Sequence, residues 1–228
     1  MEEILQVNEA GELEPKQAYP LLVRVTATII SYLFHPLFII GIMGWYIIYQ
    51  HPTAYIGTDE SLKKRVLLIL FANAIFFPFV SVLLLKAVGF IKSVLLPTQK
   101  ERIIPYIITN FFFFWTFWVF RNTPESPIIM KAMTLGVFLA SSSAILFNIY
   151  HKISMHAIGV GGLVGVALTS LYHEPSVISA LPLTVALLIA GFVSTSRLVI
   201  SNHKPADIYI GFIVGIVCQF IGWWVMAS

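Results

Sequence analysis

The stretch Ser196-Arg197-Leu198-Val199-Ile200-Ser201-Asn202-His203-Lys204-Pro205-Ala206-Asp207 gathers hydroxyls, cations, an imidazole and a carboxylate within one short segment. Pro205 suits the first turn of a helix, where a missing N–H costs nothing. Asp207 then falls in that same turn, where the helix dipole favours negative charge. Asp207 follows His203 by four positions, so its carboxylate can accept a hydrogen bond from the ring Nδ1–H. That bond would fix the tautomer and leave Nε2 as a nucleophile. Arg197, across the loop, offers a fork of donors matched to phosphate oxygens. The bland alternative is a membrane-edge loop with a snorkelling arginine and a helix-capping aspartate.

A second group is Lys152-Ile153-Ser154-Met155-His156. Ser154 can cap a helix whose free N–H groups bind anions, and His156 in its first turn can hand a proton to a leaving oxygen. Gly159, Gly161, Gly162 and Gly165 follow, small enough for close helix approach. The bland alternative is a capped helix with an interfacial histidine. A third group, Pro97-Thr98-Gln99-Lys100-Glu101-Arg102-Ile103-Ile104-Pro105, is a basic loop of the kind that meets lipid headgroups.

A membrane bundle must position these groups. The chain has 228 residues, 58% apolar and 11% charged, against roughly 45–50% and 25% in an ordinary globular protein. So few charges cannot cover a water-facing surface, and the mean hydropathy is +0.86. Long unbroken apolar runs, rather than alternation, exclude a transmembrane barrel. A dispersed net charge of +3 gives no reason to expect nucleic acid, and the single cysteine, Cys218, excludes an internal disulfide or a multi-thiolate zinc site.

About 20 apolar residues cross the hydrocarbon layer. The expected spans are Val25–Tyr49, Val66–Phe90, Ile103–Phe120, Pro127–Tyr150, Met155–Tyr172, Val177–Ile200 and Ile208–Ala227. The third is the weakest candidate, with about 18 residues, Pro105 at its start and Asn110 inside. The expectation is thus an all-α, polytopic helical membrane protein of six to seven transmembrane helices. Residues 1–24 form a polar acidic tail and residues 25–228 a single transmembrane domain. The tail carries Glu2, Glu3, Glu9, Glu12 and Glu14 instead of the basic start of a secretory signal.

Loop parity places the segments near 91–102, 151–154 and 201–207 on one face with the N-terminus, provided the third span crosses fully. Lys92, Lys100, Arg102, His151, Lys152, Ser154, His156, Ser196, Arg197, His203, Lys204 and Asp207 then converge there. Setting aside the residues suspected of holding a ligand, that face keeps Lys16 and Arg24. The other face has Lys63, Lys64, Arg65, Arg121 and Lys131. The positive-inside rule then turns the convergent face outward, whereas counting every Lys and Arg reverses the bias.

Together the three groups resemble the motifs of the phosphatidic-acid phosphatase type 2 superfamily of integral-membrane lipid phosphatases: Lys-x6-Arg-Pro, Pro-Ser-Gly-His and Ser-Arg-x5-His-x3-Asp. The third motif is met throughout by Ser196, Arg197, His203 and Asp207. The second is met at Ser154 and His156, with Ile153 and Met155 in place of its proline and glycine. In the first, Arg102 stands for the arginine, Pro105 is displaced by two positions, and Lys100 or Lys92 takes the place of the lysine. The resemblance covers most of residues 66–228 and implies a phosphatase-like helical bundle at the cell membrane, with its site on the outer, periplasmic face.

It also implies metal-independent phosphoryl transfer through a phosphohistidine. His203 attacks phosphorus, oriented by Asp207. His156 protonates the departing lipid oxygen and then activates water. Arg197, Arg102, Lys100, Ser196 and Ser154 hold the phosphate. No cofactor is expected; a di-metal site would need several carboxylates on the convergent face, which has Asp207 and Glu101 beyond the tail. The expected substrate is a membrane lipid phosphate: phosphatidic acid, phosphatidylglycerol phosphate or, by slight preference, a polyprenyl pyrophosphate. The alternative is a non-catalytic lipid-binding or transport protein that retains the fold.

The remaining polar and aromatic features have plainer readings. His35, before Pro36 and within the first span, is expected to bond a carbonyl freed by a proline kink. Phe111–Trp118 is expected to be a lipid-facing aromatic surface. His51, His151 and His173 read as interfacial and Cys218 as a small core residue.

Overall fold

The computed structural model describes residues 5–7, 13–15, 19–91, 93, 99–150, 153–175, 177–200 and 203–228; the side chains of residues 5–7, 13–15, 99–102, 149–150 and 177–179 lie outside the described set. Within the acidic tail, β1 (Leu5–Val7) and β2 (Leu13–Pro15) form a short antiparallel pair. All the other elements described are helices: α1 (Leu21–Leu33), α2 (Pro36–Tyr49), α3 (Glu60–Phe71), a π turn (Ala72–Phe76), α4 (Phe77–Ala87), α5 (Gln99–Arg121), α6 (Ile128–Tyr150), α7 (Met155–His173), α8 (Val177–Ile200) and α9 (Pro205–Ala227). Six helical stretches are long and apolar enough to cross a membrane, and the bent α1–α2 pair makes up to seven. The chain is a multi-pass helical membrane protein.

The first expected span is not one helix. Pro36 has no N–H to continue α1, and its ring drives His35 out of the helical region, to φ −60° and ψ 142°. The result is a bend of 57° between α1 and α2. In the second span the π turn sits just before Pro78, and Phe77 N–H reaches back five residues to the Ala72 carbonyl. The widened turn makes room for the proline ring inside a continuous helix. The third span, the weakest candidate in the sequence, is a continuous helix: α5 runs 23 residues through Pro105, roughly 34 Å at 1.5 Å per residue. It lies against α6, where Ser142 Oγ donates to Asn110 Oδ1 at 3.2 Å. From that contact, eight residues back along α5 lead to Arg102 and eight residues on along α6 lead to Tyr150. The first turn of α5 is therefore level with the end of α6 and the start of α7.

In lipid, helices gain nothing from hiding apolar surface, so close packing and small residues must hold them together. A glycine seam does so here. A Cβ on Gly161 would lie 2.2 Å from the Phe212 carbonyl oxygen, and one on Gly215 would lie 2.2 Å from that of Ile158. Gly222 allows the same approach to α6, where a Cβ would come within 2.4 Å of the Ala132 oxygen. No larger residue fits at these crossings without a backbone shift, so the axial register of α9 against α7 is fixed. At the end of the seam Ser154 N–H donates to the Asp207 carbonyl at 3.3 Å, joining the two helix starts. The central position of α7 shows in its burial: 67% of its most apolar window lies inside the bundle, against 22% for α8.

α2 runs alongside α7 in the same direction. Pro36 packs by Gly159 at one end, and Tyr46 OH meets Ser170 Oγ at 2.7 Å further along. Beyond the helices Thr53 Oγ1 donates to Glu174 Oε1. His35 is thus level with the start of α7, and the 50–59 loop is level with its end. Side chains such as Ile39, Ile47, Leu70, Met130, Val160 and Val193 are fully buried between the helices, while Leu68, Leu188 and Phe192 face outward, as a lipid-embedded surface requires.

Candidate active site

The start of α9 builds the first half of the site. Pro205 opens the helix and Lys204 is its N-cap. Asp207 Oδ2 accepts from the Lys204 backbone N–H at 2.9 Å and lies 3.4 Å from His203 Nδ1. A carboxylate is acceptor-only, so the proton of this contact rests on Nδ1. The capping bond orients the carboxylate and the carboxylate orients the ring. The His203 side chain is 7% exposed and that of Asp207 20%, so the pair is only partly open to water.

The start of α7 and the end of α8 build the second half. His156 Nε2 lies 3.1 Å from the Ser31 carbonyl oxygen and 3.2 Å from Ser31 Oγ. Because the carbonyl can only accept, Nε2 carries a proton. Arg197 Nη1 donates to the same Ser31 hydroxyl at 2.8 Å. The His35 ring meets the His156 ring edge-on, with centroids 5.5 Å apart. Arg197, His35 and His203 all lie within electrostatic reach of His156. Residues from α1, the α1–α2 joint, α7, α8 and the start of α9 thus meet at one end of the bundle.

Ser154 and Ser196 are tied to their own helices. Ser154 is fully buried and its Oγ accepts from Ala157 N–H at 3.4 Å as the N-cap of α7. Ser196 Oγ donates to the Phe192 carbonyl at 2.7 Å and is 3% exposed. Lys100 and Arg102 fall at the start of α5, on the level of the site, and their side chains lie outside the described set. Lys92, Pro97, His151, Lys152, Ser201 and Asn202 lie outside the described residues. Among the described residues, no group of three His, Cys, Asp or Glu side chains is arranged to hold a metal ion.

Two residues at the site escaped the sequence reading. Ser31 carried no motif, and His35 was expected to bond a carbonyl at a kink. Instead His35 Nδ1 accepts from Leu37 N–H at 3.4 Å, as the N-cap of α2. The reason is that Pro36 starts a helix and does not kink one, and a helix start lacks partners for N–H groups, not carbonyls. The available signal was two polar side chains four residues apart, on one helix face of a mainly apolar span, where polar groups mark functional positions. The aromatic run 111–118 also divides: Phe111, Trp115 and Trp118 face outward, whereas Phe113 and Phe117 are buried. Cys218 is buried, 3.9 Å from Ser143 Oγ.

Comparison with family models, with curated proteins and with solved structures finds no match for this chain.

Proposed function

We propose that this protein is a metal-independent lipid phosphatase of the cell membrane, a phosphatidic-acid-phosphatase-like bundle that hydrolyses a phosphomonoester or pyrophosphate of a membrane lipid through a phosphohistidine. The observation that carries this reading is the meeting, at one end of the bundle, of a carboxylate-oriented imidazole from α9 with a second, proton-bearing imidazole from α7 and a guanidinium from α8. His156 enters the step as the doubly protonated imidazolium, paired with the negative charge of the bound phosphate. His203 Nε2 attacks phosphorus as the bond to the lipid oxygen breaks, and that oxygen takes the His156 Nε2 proton, leaving the ring neutral. The neutral His156 then removes a proton from water, whose oxygen attacks phosphorus and releases His203. Arg197, with Arg102 and Lys100 at the same level, carries the charge of the non-bridging oxygens. Preorganised donors are worth about 10²–10³ in rate each and general acid–base help about 10²–10⁴.

A site at a helix end, flanked by outward apolar surface, suits a substrate anchored by an acyl or prenyl tail. Phosphatidic acid, phosphatidylglycerol phosphate and polyprenyl pyrophosphates share that chemistry. Lys63, Lys64 and Arg65 near the start of α3, Arg121 at the end of α5 and Lys131 in α6 cluster at the opposite end. By the positive-inside rule this favours an outward-facing site.

Purified protein in detergent, assayed for phosphate release from those three lipids, should hydrolyse at least one of them equally with and without a chelator. No release from any of them would leave the non-catalytic lipid-binding reading in its place. With a good leaving group, His156→Ala should accumulate an acid-labile phosphoenzyme on His203.

A further inference from the structure

Ser31 lies on α1, 125 residues from His156 and 166 from Arg197, yet it touches the working atom of both. The helical ladder explains why its carbonyl is available. At the end of α1 Phe34 N–H returns to the Ile30 carbonyl and His35 N–H to that of Tyr32, passing over Ser31. A carbonyl left over at a helix C-terminus carries the negative end of the dipole. Here it is aimed at His156 Nε2, 3.1 Å away. Beside it, Ser31 Oγ takes a charge-assisted bond from Arg197 Nη1 at 2.8 Å. A carbonyl and a hydroxyl of one residue therefore occupy an acid proton and a guanidinium fork, as a leaving oxygen and a non-bridging oxygen of one phosphate would.

On this geometry, and resting on the phosphatase reading above, we infer that Ser31 is a further residue of the phosphate site: substrate binds by displacing it from His156 and Arg197, and α1 is the wall that yields. Three features make α1 the element that moves. Its joint to α2 is a single extended residue, His35, at a 57° bend. Its buried residues are Ala27 and Ser31, both small. Most of its remaining surface faces outward, with Leu21, Leu22, Ile29, Tyr32 and Leu33 each more than half exposed. α7, by contrast, is held by backbone contacts at glycine.

Ser31→Ala removes the hydroxyl that competes for Arg197. It should lower both the KM for a lipid phosphate and the inhibition constant of inorganic phosphate, by about tenfold to a hundredfold, the range expected for losing one hydrogen bond to a charged group. A drop in kcat without tighter phosphate binding would mean that Ser31 positions His156 and stays in place, which overturns the inference; so would no change in either constant. A second readout needs no turnover. In a Cys218→Ala background, Ser31→Cys should react faster with a small methanethiosulfonate reagent when inorganic phosphate is present, because the buried side chain is driven out. Slower or unchanged labelling overturns the inference. If the wild-type protein releases phosphate while both tests fail, the inference alone is lost. If the wild type releases none from any lipid, the phosphatase reading fails and takes the inference with it.

Discussion

The two walls of the site are built on opposite principles. The α7–α9 wall is a backbone-to-backbone seam, in which Gly161 and Gly215 bring carbonyls to distances no side chain tolerates and Ser154 N–H is bonded to the Asp207 carbonyl. The α1 wall touches the site through one serine and is jointed at His35-Pro36. On the proposed function, the rings that would meet one phosphorus atom sit on the wall that cannot slip, and the group that would make way sits on the wall that can. The price of the first design is intolerance to any added methyl, and under the proposed function the second would make Ser31 a competitor of the substrate.

The largest effect expected is at the pair on the rigid wall. His203→Ala should reduce phosphate release to background. Asp207→Asn, which keeps the shape but reverses the tautomer preference of the ring, should lower kcat by about 10²–10⁴-fold. Turnover near the wild-type level in either variant removes His203 from the nucleophile role. The next effect separates seam from surface. Gly215→Ala pushes a methyl to 2.2 Å from the Ile158 oxygen and should destabilise the fold by about 1–3 kcal/mol. Gly191→Ala in α8 meets nothing within 4 Å and should be stabilising by about 1 kcal/mol or less. Denaturation in mixed detergent measures both; equal stability would mean that the seam is not what holds α9.

The smallest effect is at the opposite end of the bundle. His51 Nδ1 accepts from the backbone N–H groups of Thr53 and Ala54. Burial pulls the His51 pKa below its ordinary 6.5, against an opposing pull from Glu174. A base whose folded pKa is depressed stabilises the fold above its unfolded pKa and loses that contribution as pH falls through it. Tm should therefore decline as pH drops below about 6.5, and His51→Gln should flatten part of that decline. A decline identical in wild type and variant assigns it to other groups.

Much of the architecture was legible because lipid imposes it. A helix must be about 20 apolar residues long to cross, and five of the six long stretches fall within a few residues of the hydropathy limits, while the second span starts six residues before Val66, in the charged turn at Glu60. The start of α9 was legible down to single side chains, since Pro205 and Asp207 act through rules local to one turn. Ser31 was not legible, because its role depends on Arg197 and His156, which no local spacing links to it. The division of the aromatic run had a simpler signal, the helical repeat of 3.6 residues, by which Phe113 and Phe117 share a face. The break at His35 was visible as a proline, but whether a proline kinks one helix or starts another depends on whether α1 has packing of its own; it does, against α8.

The wide turn at Ala72–Phe76 holds one residue more than an α-helix needs for its bonds. Each residue advances a helix by about 100°, so every side chain beyond the turn, from Pro78 to Lys86, is rotated against α3 by that surplus. Deleting one residue there would leave the span's length almost unchanged yet turn its second half to a different neighbour, which makes these five positions the place where insertions and deletions re-aim a helix without shortening it.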